Sequence, residues 1–468
     1  MITLLSLASS LVLAHENKPE SPQAAASWAA RSGWTTQYIE RFFYPTVDVG
    51  SYNSIAFNPH DNLPYISYYH ATNKDLMLAS PASSLNGNCG PSSNDWWCRP
   101  VDGDGLEGRS TDDTGQYSSL AFWKGSGDDT WKLGISYYDA TIYGLRYAEW
   151  NCEPGSCGWI YTTLHTGSEY YYVGLYTSLH YDSTGYPHIA YYGLNTQGAD
   201  DLWYANYVSN GTGSCPGSNY WMCQRIDTGD GTGKFASLDL TYNGRVDIAY
   251  YSEATGDLKY AYYTGLGNCI SGNGWVCRTI DSVGNVGGYT SIVAPGYIND
   301  VTRVAYYDFL NRELRYAYSG MSGGSGNCGP SNSWQCNMVD DMSSDPPVGI
   351  SMKEDPEGYP MIAYQYVDHS DPSSYHHLRI ARPYLVYHDS DIGNCGDTPP
   401  GYAVLYWRCT SLDQGYYYDH EASFVSLAIS PSGLGAISYT EDNDNYQSTV
   451  LRLAYQKYLN LYLPVINK

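Results

Sequence analysis

Basic residues are scarce in this sequence: 24 lysines and arginines stand against 48 aspartates and glutamates, a formal net charge of −24. An acidic surface of this kind argues against nucleic acid or an anionic membrane as partner, and is compatible with cations or neutral sugars. Phenylalanine is nearly absent, 7 residues against 51 tyrosines, and charged residues make up only 15% of the chain. Tyrosine buries a large ring while keeping a hydroxyl that can reach water or a partner, which suits an all-β extracellular protein. No stretch carries convincing helical periodicity. Long apolar runs are missing as well: Ile2–Ala14 (ITLLSLASSLVLA) is too short for an ordinary membrane span. It has the length of a signal-peptide core without the usual basic start, so residues 1–14 are expected to be a signal peptide and 15–31 a polar linker. The chain is not expected to be an integral membrane protein.

Zinc-ligand spacing is also lacking. The twelve cysteines fall into close pairs, Cys89/Cys98, Cys152/Cys157, Cys215/Cys223, Cys269/Cys277, Cys328/Cys336 and Cys395/Cys409. Most bracket longer segments than a zinc knuckle does, and no histidine sits nearby. An even count at recurring positions predicts disulfides within each repeat, formed in an oxidising, extracellular place.

What is present in abundance is one repeated sentence, clearest in Asp247–Ala261 (DIAYYSEATGDLKYA). Its tyrosine pair recurs as Tyr68-Tyr69, Tyr137-Tyr138, Tyr191-Tyr192, Tyr250-Tyr251 and Tyr306-Tyr307, then decays to Tyr364-Gln365 and Tyr439-Thr440. A leucine follows each: Leu76, Leu145, Leu202, Leu258, Leu314, Leu378 and Leu451. Anchored on a first-strand serine, the repeats begin at Ser54, Ser119, Ser178, Ser237, Ser291, Gly349 and Ser426. Within repeat four, Phe235–Leu240, Arg245–Tyr251, Asp257–Tyr262 and Trp275–Ile280 read as four short strands separated by turn residues. Seven such units predict an all-β, seven-bladed β-propeller of four-stranded blades over residues 32–455. In such blades both strand faces are covered by neighbours, so the tyrosines are expected to pack rather than to bind.

The last repeat lacks a fourth strand and cysteines. The missing piece is at the other end of the chain, where Trp34–Glu40 (WTTQYIE) aligns with Trp275–Asp281 (WVCRTID) and places Thr36 at the cysteine position. The amino-terminal strand is therefore expected to close the ring. Residues 456–468 (QKYLNLYLPVINK) are left over, and the alternating Leu459, Leu461, Tyr462, Leu463 and Val465 are candidates for head-to-tail assembly with other copies of the chain.

Catalytic patterns are few. Arginines are scattered and no inward triad stands out. Gly320–Gly324 fits G-x-S-x-G but has no following helix to make a nucleophile elbow. Aspartates are more suggestive: Asp102, Asp227, Asp281, Asp340 and Asp413 end fourth strands, while Asp139, Asp308 and Glu441 follow the tyrosine pairs, on the same side of the disc. Asp102, Asp104, Asp227 and Asp230 are the candidate calcium ligands, against the alternative that they tighten turns; no other cofactor is implied.

The unit in Val304–Ala317 (VAYYDFLNRELRYA) resembles the secreted bacterial β-propellers built from Ile-Ala-Tyr-Tyr-Asp…Leu-Arg-Tyr-Ala repeats, over about residues 34–455. That resemblance implies the fold and mostly no assigned activity. The turn Ser331-Asn332-Ser333-Trp334 is similar in position to a sialidase Asp-box, but the box's Ser-x-Asp-x-Gly-x-Thr-Trp is not present, so sialidase activity is not implied. The end Tyr462–Lys468 resembles those of secreted Chloroflexota proteins. The expected function is a non-catalytic binding or structural assembly module at a cell surface or in an extracellular matrix or filament. A carbohydrate-binding lectin is the first alternative, and a sialidase-like glycoside hydrolase the second.

Overall fold

The computed structural model describes residues 33–456, apart from 41–46, 85, 107–108, 127–130, 154–155, 168–169, 197, 230, 271, 298–299, 343–348, 369–374, 384–392, 399–404, 414–419 and 444–447. Seven four-stranded antiparallel sheets are arranged as a seven-bladed propeller. Six blades are consecutive in sequence; in blade four they are Thr232–Leu240, Val246–Ser252, Asp257–Tyr263 and Trp275–Asp281. The first strands form the inner edges, and each packs against the first strand of the next blade around a closed circle.

The seventh blade is composed of both chain ends. His420–Ile429, Gly435–Asn443 and Ser448–Gln456 are followed in the sheet by Trp34–Glu40. Thr36 lies opposite Ala454, as Cys277 lies opposite Ala261 in blade four. The expected substitution of threonine for cysteine in the closing strand thus holds at single-residue register. Residues 1–31 and the tail residues Leu459, Leu461, Tyr462, Leu463 and Val465 lie outside the described residues.

Five disulfides are described, Cys89–Cys98, Cys215–Cys223, Cys269–Cys277, Cys328–Cys336 and Cys395–Cys409, all within single repeats with Cα separations of 4.6–6.0 Å. In blade two Cys152 pairs with Cys157 across the strand ladder, and Cys157 is disulfide-bonded; the side chain of Cys152 lies outside the described residues. Each of the five pins the loop before a fourth strand, whose first residue is a buried tryptophan or, in blade one, the buried first of two: Trp96, Trp221, Trp275, Trp334 and Trp407. Four of these rings meet the third-strand tyrosine of the preceding blade, at 5.0–5.5 Å between centroids (Tyr147–Trp221, Tyr204–Trp275, Tyr260–Trp334 and Tyr316–Trp407). The core is therefore divided among the blade interfaces, because each blade buries its two faces only against its neighbours.

One expectation is corrected. The anchor of repeat six is Ser351, not Gly349: Ser351 pairs with Ala363 as Ser237 pairs with Ala249 and Ser291 with Ala305. Gly349 occupies the place two residues earlier.

Candidate functional site

The first strands build the central channel, and a five-residue pattern repeats along them. It runs glycine, any residue, aromatic, any residue, serine: Gly50–Ser54, Gly115–Ser119, Gly174–Ser178, Gly233–Ser237 and Gly287–Ser291. The glycines have φ of +98 to +111°, and a Cβ built on Gly115 would stand 2.7 Å from the Cα of Leu76. Each of these glycines sits against the repeated leucine of the previous blade, so the leucine noted in the sequence is the buried seat for the next blade's first strand.

Two residues later the backbone bulges and the register shifts. Tyr52, Tyr117, Tyr176, Phe235, Tyr289 and Phe424 all adopt φ of 50–54°. That conformation costs a bulky residue roughly 1–2 kcal/mol. It persists because the surrounding ladder over-determines it, and it re-aims the ring. The six rings touch in sequence at 4.3–4.8 Å between centroids, from Phe424 through Tyr52, Tyr117, Tyr176 and Phe235 to Tyr289. Blade six has Gly349 at this place. Burial raises the pKa of Tyr52, Tyr117 and Tyr176, that of Tyr176 to about 12, so they stay protonated.

The serines make a second circle. Each Oγ accepts the backbone N–H of the residue after the next blade's serine, from Leu120 N–H on Ser54 round to Ile55 N–H on Ser426, at 2.9–3.2 Å. Beyond them lies a cavity of about 480 Å³ lined by Phe57, Ala121, Phe122, His180, Tyr181 and Lys353 among others. These positions follow the aromatic by four or more residues, on the order of 13 Å along the strand. Asp239 accepts the backbone N–H groups of Leu240 and Ala294 and faces His180 Nδ1 at 3.1 Å. Burial lowers the pKa of His180, Lys353 lowers it further, and Asp239 opposes both.

The predicted acidic residues occupy the opposite side of the disc, and the structure gives most of them partners. The first tyrosine of every pair is almost wholly buried and reaches the group that ends the fourth strand of the preceding blade. Tyr137, Tyr250, Tyr306 and Tyr364 donate to Asp102, Asp227, Asp281 and Asp340 at 2.6–2.7 Å. Tyr439 donates to Asp413, and Tyr68 to Glu40 across the ring closure. In five blades the residue after the repeated leucine adds a cation to the same carboxylate: Arg146 on Asp102 at 2.8 Å, Arg379 on Asp340 at 2.7 Å, Arg452 on Asp413 at 3.0 Å, Arg315 near Asp281 at 3.9 Å, and Lys259 on Asp227. Asp139, Asp308 and Glu441 hold Arg146, Arg315 and Arg452 from the other side. Blade three departs consistently: His165 replaces the acid, Trp203 replaces the base, and Tyr191 meets His165 Nδ1 at 3.2 Å. Burial pushes the pKa of His165 down to about 4, so it is neutral there.

Of the calcium candidates, Asp102 and Asp227 therefore serve these interblade clasps, and Asp104 is bonded to Arg109 at 2.6 Å. Asp230 lies outside the described residues. The one group of potential metal ligands brought together among the described residues, Asp340 with Cys395 and Cys409, contains two disulfide sulfurs rather than thiolates. Within Gly320–Gly324, Ser322–Gly324 forms a short 3-10 turn with no buried residue. The channel residues were missed in sequence, although the recurring glycine–aromatic–serine spacing was a readable signal.

No family model and no curated relative matches the chain. Solved structures of similar shape include the Aleuria aurantia lectin in complex with Fucα1-6GlcNAc (14% identity, 76% of this chain and 100% of the lectin, TM-score 0.42). A Dyadobacter fermentans protein of unknown function aligns at 10% identity over 91% of this chain and 99% of its own, TM-score 0.42. The NanB sialidase of Streptococcus pneumoniae aligns at 10% identity over 90% and 70%, TM-score 0.40. Likeness at this distance assigns no ligand to this chain. The five described disulfides point to folding in an oxidising compartment. Among the described residues no helix is long and apolar enough to cross a membrane.

Proposed function

We propose that the protein is a secreted, non-catalytic binding module of the extracellular propeller kind its repeats resemble, and that it takes a saccharide at the wide end of the central channel. The observation that carries this reading is the cavity of about 480 Å³, walled by Phe57, Phe122 and Tyr181 and crossed by polar groups from several blades. Aromatic walls with a few convergent polar groups suit the alternating C–H and hydroxyl faces of a sugar. The aromatic constriction deeper in the channel gives the cavity a floor. The chemistry expected of a hydrolase is otherwise engaged: the first-strand serines serve the interblade circle, Glu354 is held by Arg303, and Asp355 caps its own turn.

The test is a glycan array with the wild-type chain and with Ala121→Trp, which fills the cavity from its wall. Saturable binding by the wild type that is lost in the variant is expected. Binding that survives the filled cavity, or turnover of chromogenic glycosides, would overturn the reading.

A further inference from the structure

The position two after each anchoring serine decides what faces the channel mouth. It is alanine in blades seven, one and two (Ala428, Ala56, Ala121), whereas blade three has His180 and blade four has Asp239. These two meet across a blade interface, with His180 Nδ1 3.1 Å from Asp239 Oδ1.

The carboxylate is fixed in place. Its Oδ1 accepts the backbone N–H of Leu240 at 2.8 Å, and its Oδ2 accepts that of Ala294, in blade five, at 2.9 Å. A carboxylate accepts hydrogen bonds and donates none, so a neutral imidazole facing it carries its hydrogen on Nδ1. Burial and the nearby Lys353 hold the pKa of His180 below the ordinary histidine value, and the ring is neutral at pH 7. Its Nε2 is then a bare acceptor, without a partner among the described residues, on a partly exposed side chain that lines the cavity.

The charges around this acceptor favour no ion. Lys353 lines the same cavity, but Glu354 and Asp355 line it beside the lysine. An oxyanion has no hydrogen to give to Nε2, and an ammonium group would meet a second cation in Lys353. A hydroxyl donates without bringing charge.

We infer that His180 Nε2 accepts a hydrogen bond from a hydroxyl of the bound saccharide, that Asp239 is the positioning residue that keeps this nitrogen an acceptor, and that the saccharide is neutral. This assignment rests on the channel-binding reading and narrows it to a ligand class and a residue that selects it.

Two measurements on the full chain test it. The first is nitrogen-15 NMR of the histidine rings at pH 7, with His180→Leu identifying the signals of His180. Nδ1 is expected to be protonated and Nε2 bare. A hydrogen on Nε2 would overturn the inference, whether or not a sugar binds. The second is a saturation-transfer NMR titration with glucose, galactose and mannose, and with glucuronate and glucosamine as charged counterparts. At least one neutral sugar is expected to bind more tightly than either charged one. His180→Leu is expected to weaken that binding about tenfold, the scale of one hydrogen bond, at an unchanged melting temperature. His180→Gln, whose amide oxygen reaches the place of Nε2, is expected to retain most of the affinity. Tighter binding of glucuronate or glucosamine would overturn the inference, and so would full affinity in His180→Leu. If binding on the glycan array is lost in Ala121→Trp while His180→Leu binds as the wild type does, the channel site stands and only the role of His180 falls. If no sugar binds the wild type, both fall.

Discussion

At the scale of single residues, the clasps explain why the repeat is spelled as it is. The first tyrosine, the acid that ends the previous fourth strand and the base after the leucine meet at one buried point between blades. A tyrosine hydroxyl on a carboxylate contributes roughly 1.5–3 kcal/mol when buried. An unpaired buried acid would cost more, which is why a cation accompanies it in five blades. Blade three shows the logic by exception, since a neutral imidazole has no need of a cation and Trp203 takes its place. This exception has a pH signature. A histidine whose folded pKa is lowered contributes stability that is present above its unfolded value near 6.5 and is lost as the pH falls toward about 4. The loss amounts to about 2 kcal/mol between pH 7 and pH 5. His165→Gln keeps a partner for Tyr191 and removes the titration, so the drop in melting temperature between those pH values is expected to shrink. His70 and His188, also lowered by burial, leave part of it in place. An undiminished drop would show that His165 does not titrate on unfolding.

At the scale of elements, some strands were legible in the sequence and others were not, for physical reasons. The second and third strands read clearly because both faces are covered, which gives near-continuous apolar runs such as Ile248–Tyr251. The closing strand was legible because Trp34, Ile39 and Glu40 occupy places equivalent to Trp275, Ile280 and Asp281. Deleting Trp34–Glu40 removes the buried Ile39, worth roughly 1.5–3 kcal/mol. It also removes the Tyr68–Glu40 clasp, worth roughly as much again. The melting temperature is expected to fall by several degrees, and one equal to that of the full chain would refute the closure. The first strands were harder. Nothing in the letters Gly-Gln-Tyr-Ser-Ser announces that Tyr117 has a positive φ, because that conformation is imposed by the bulge and by Leu76 of the neighbouring blade. Repeat six slipped by two residues because its aromatic is replaced by Gly349, which removes the landmark before Ser351. The aspartates misled more subtly. Their grouping on one side of the disc was correct, but only the folded register shows that Asp102 and Asp227 turn inward to Tyr137 and Tyr250.

At the scale of the whole molecule, seven four-stranded blades make a ring, and the repeat is broken at the ring closure and the blade-three clasp as well as along its channel. Alanines, Gly349 and the His180–Asp239 pair break the sevenfold pattern there, and departures from a repeat are where a repeat protein can hold something specific. A competing surface exists on blade three, where exposed Tyr186 and Tyr220 flank Tyr207, with the rings of Tyr207 and Tyr220 parallel to within 13°. The two locations are separated by the crystal structure of the protein soaked with the saccharide that binds it best on the array. Density for the sugar between Ala121, His180 and Lys353 is the result this account predicts. Density confined to Tyr186, Tyr207 and Tyr220, with an empty channel mouth, would contradict it.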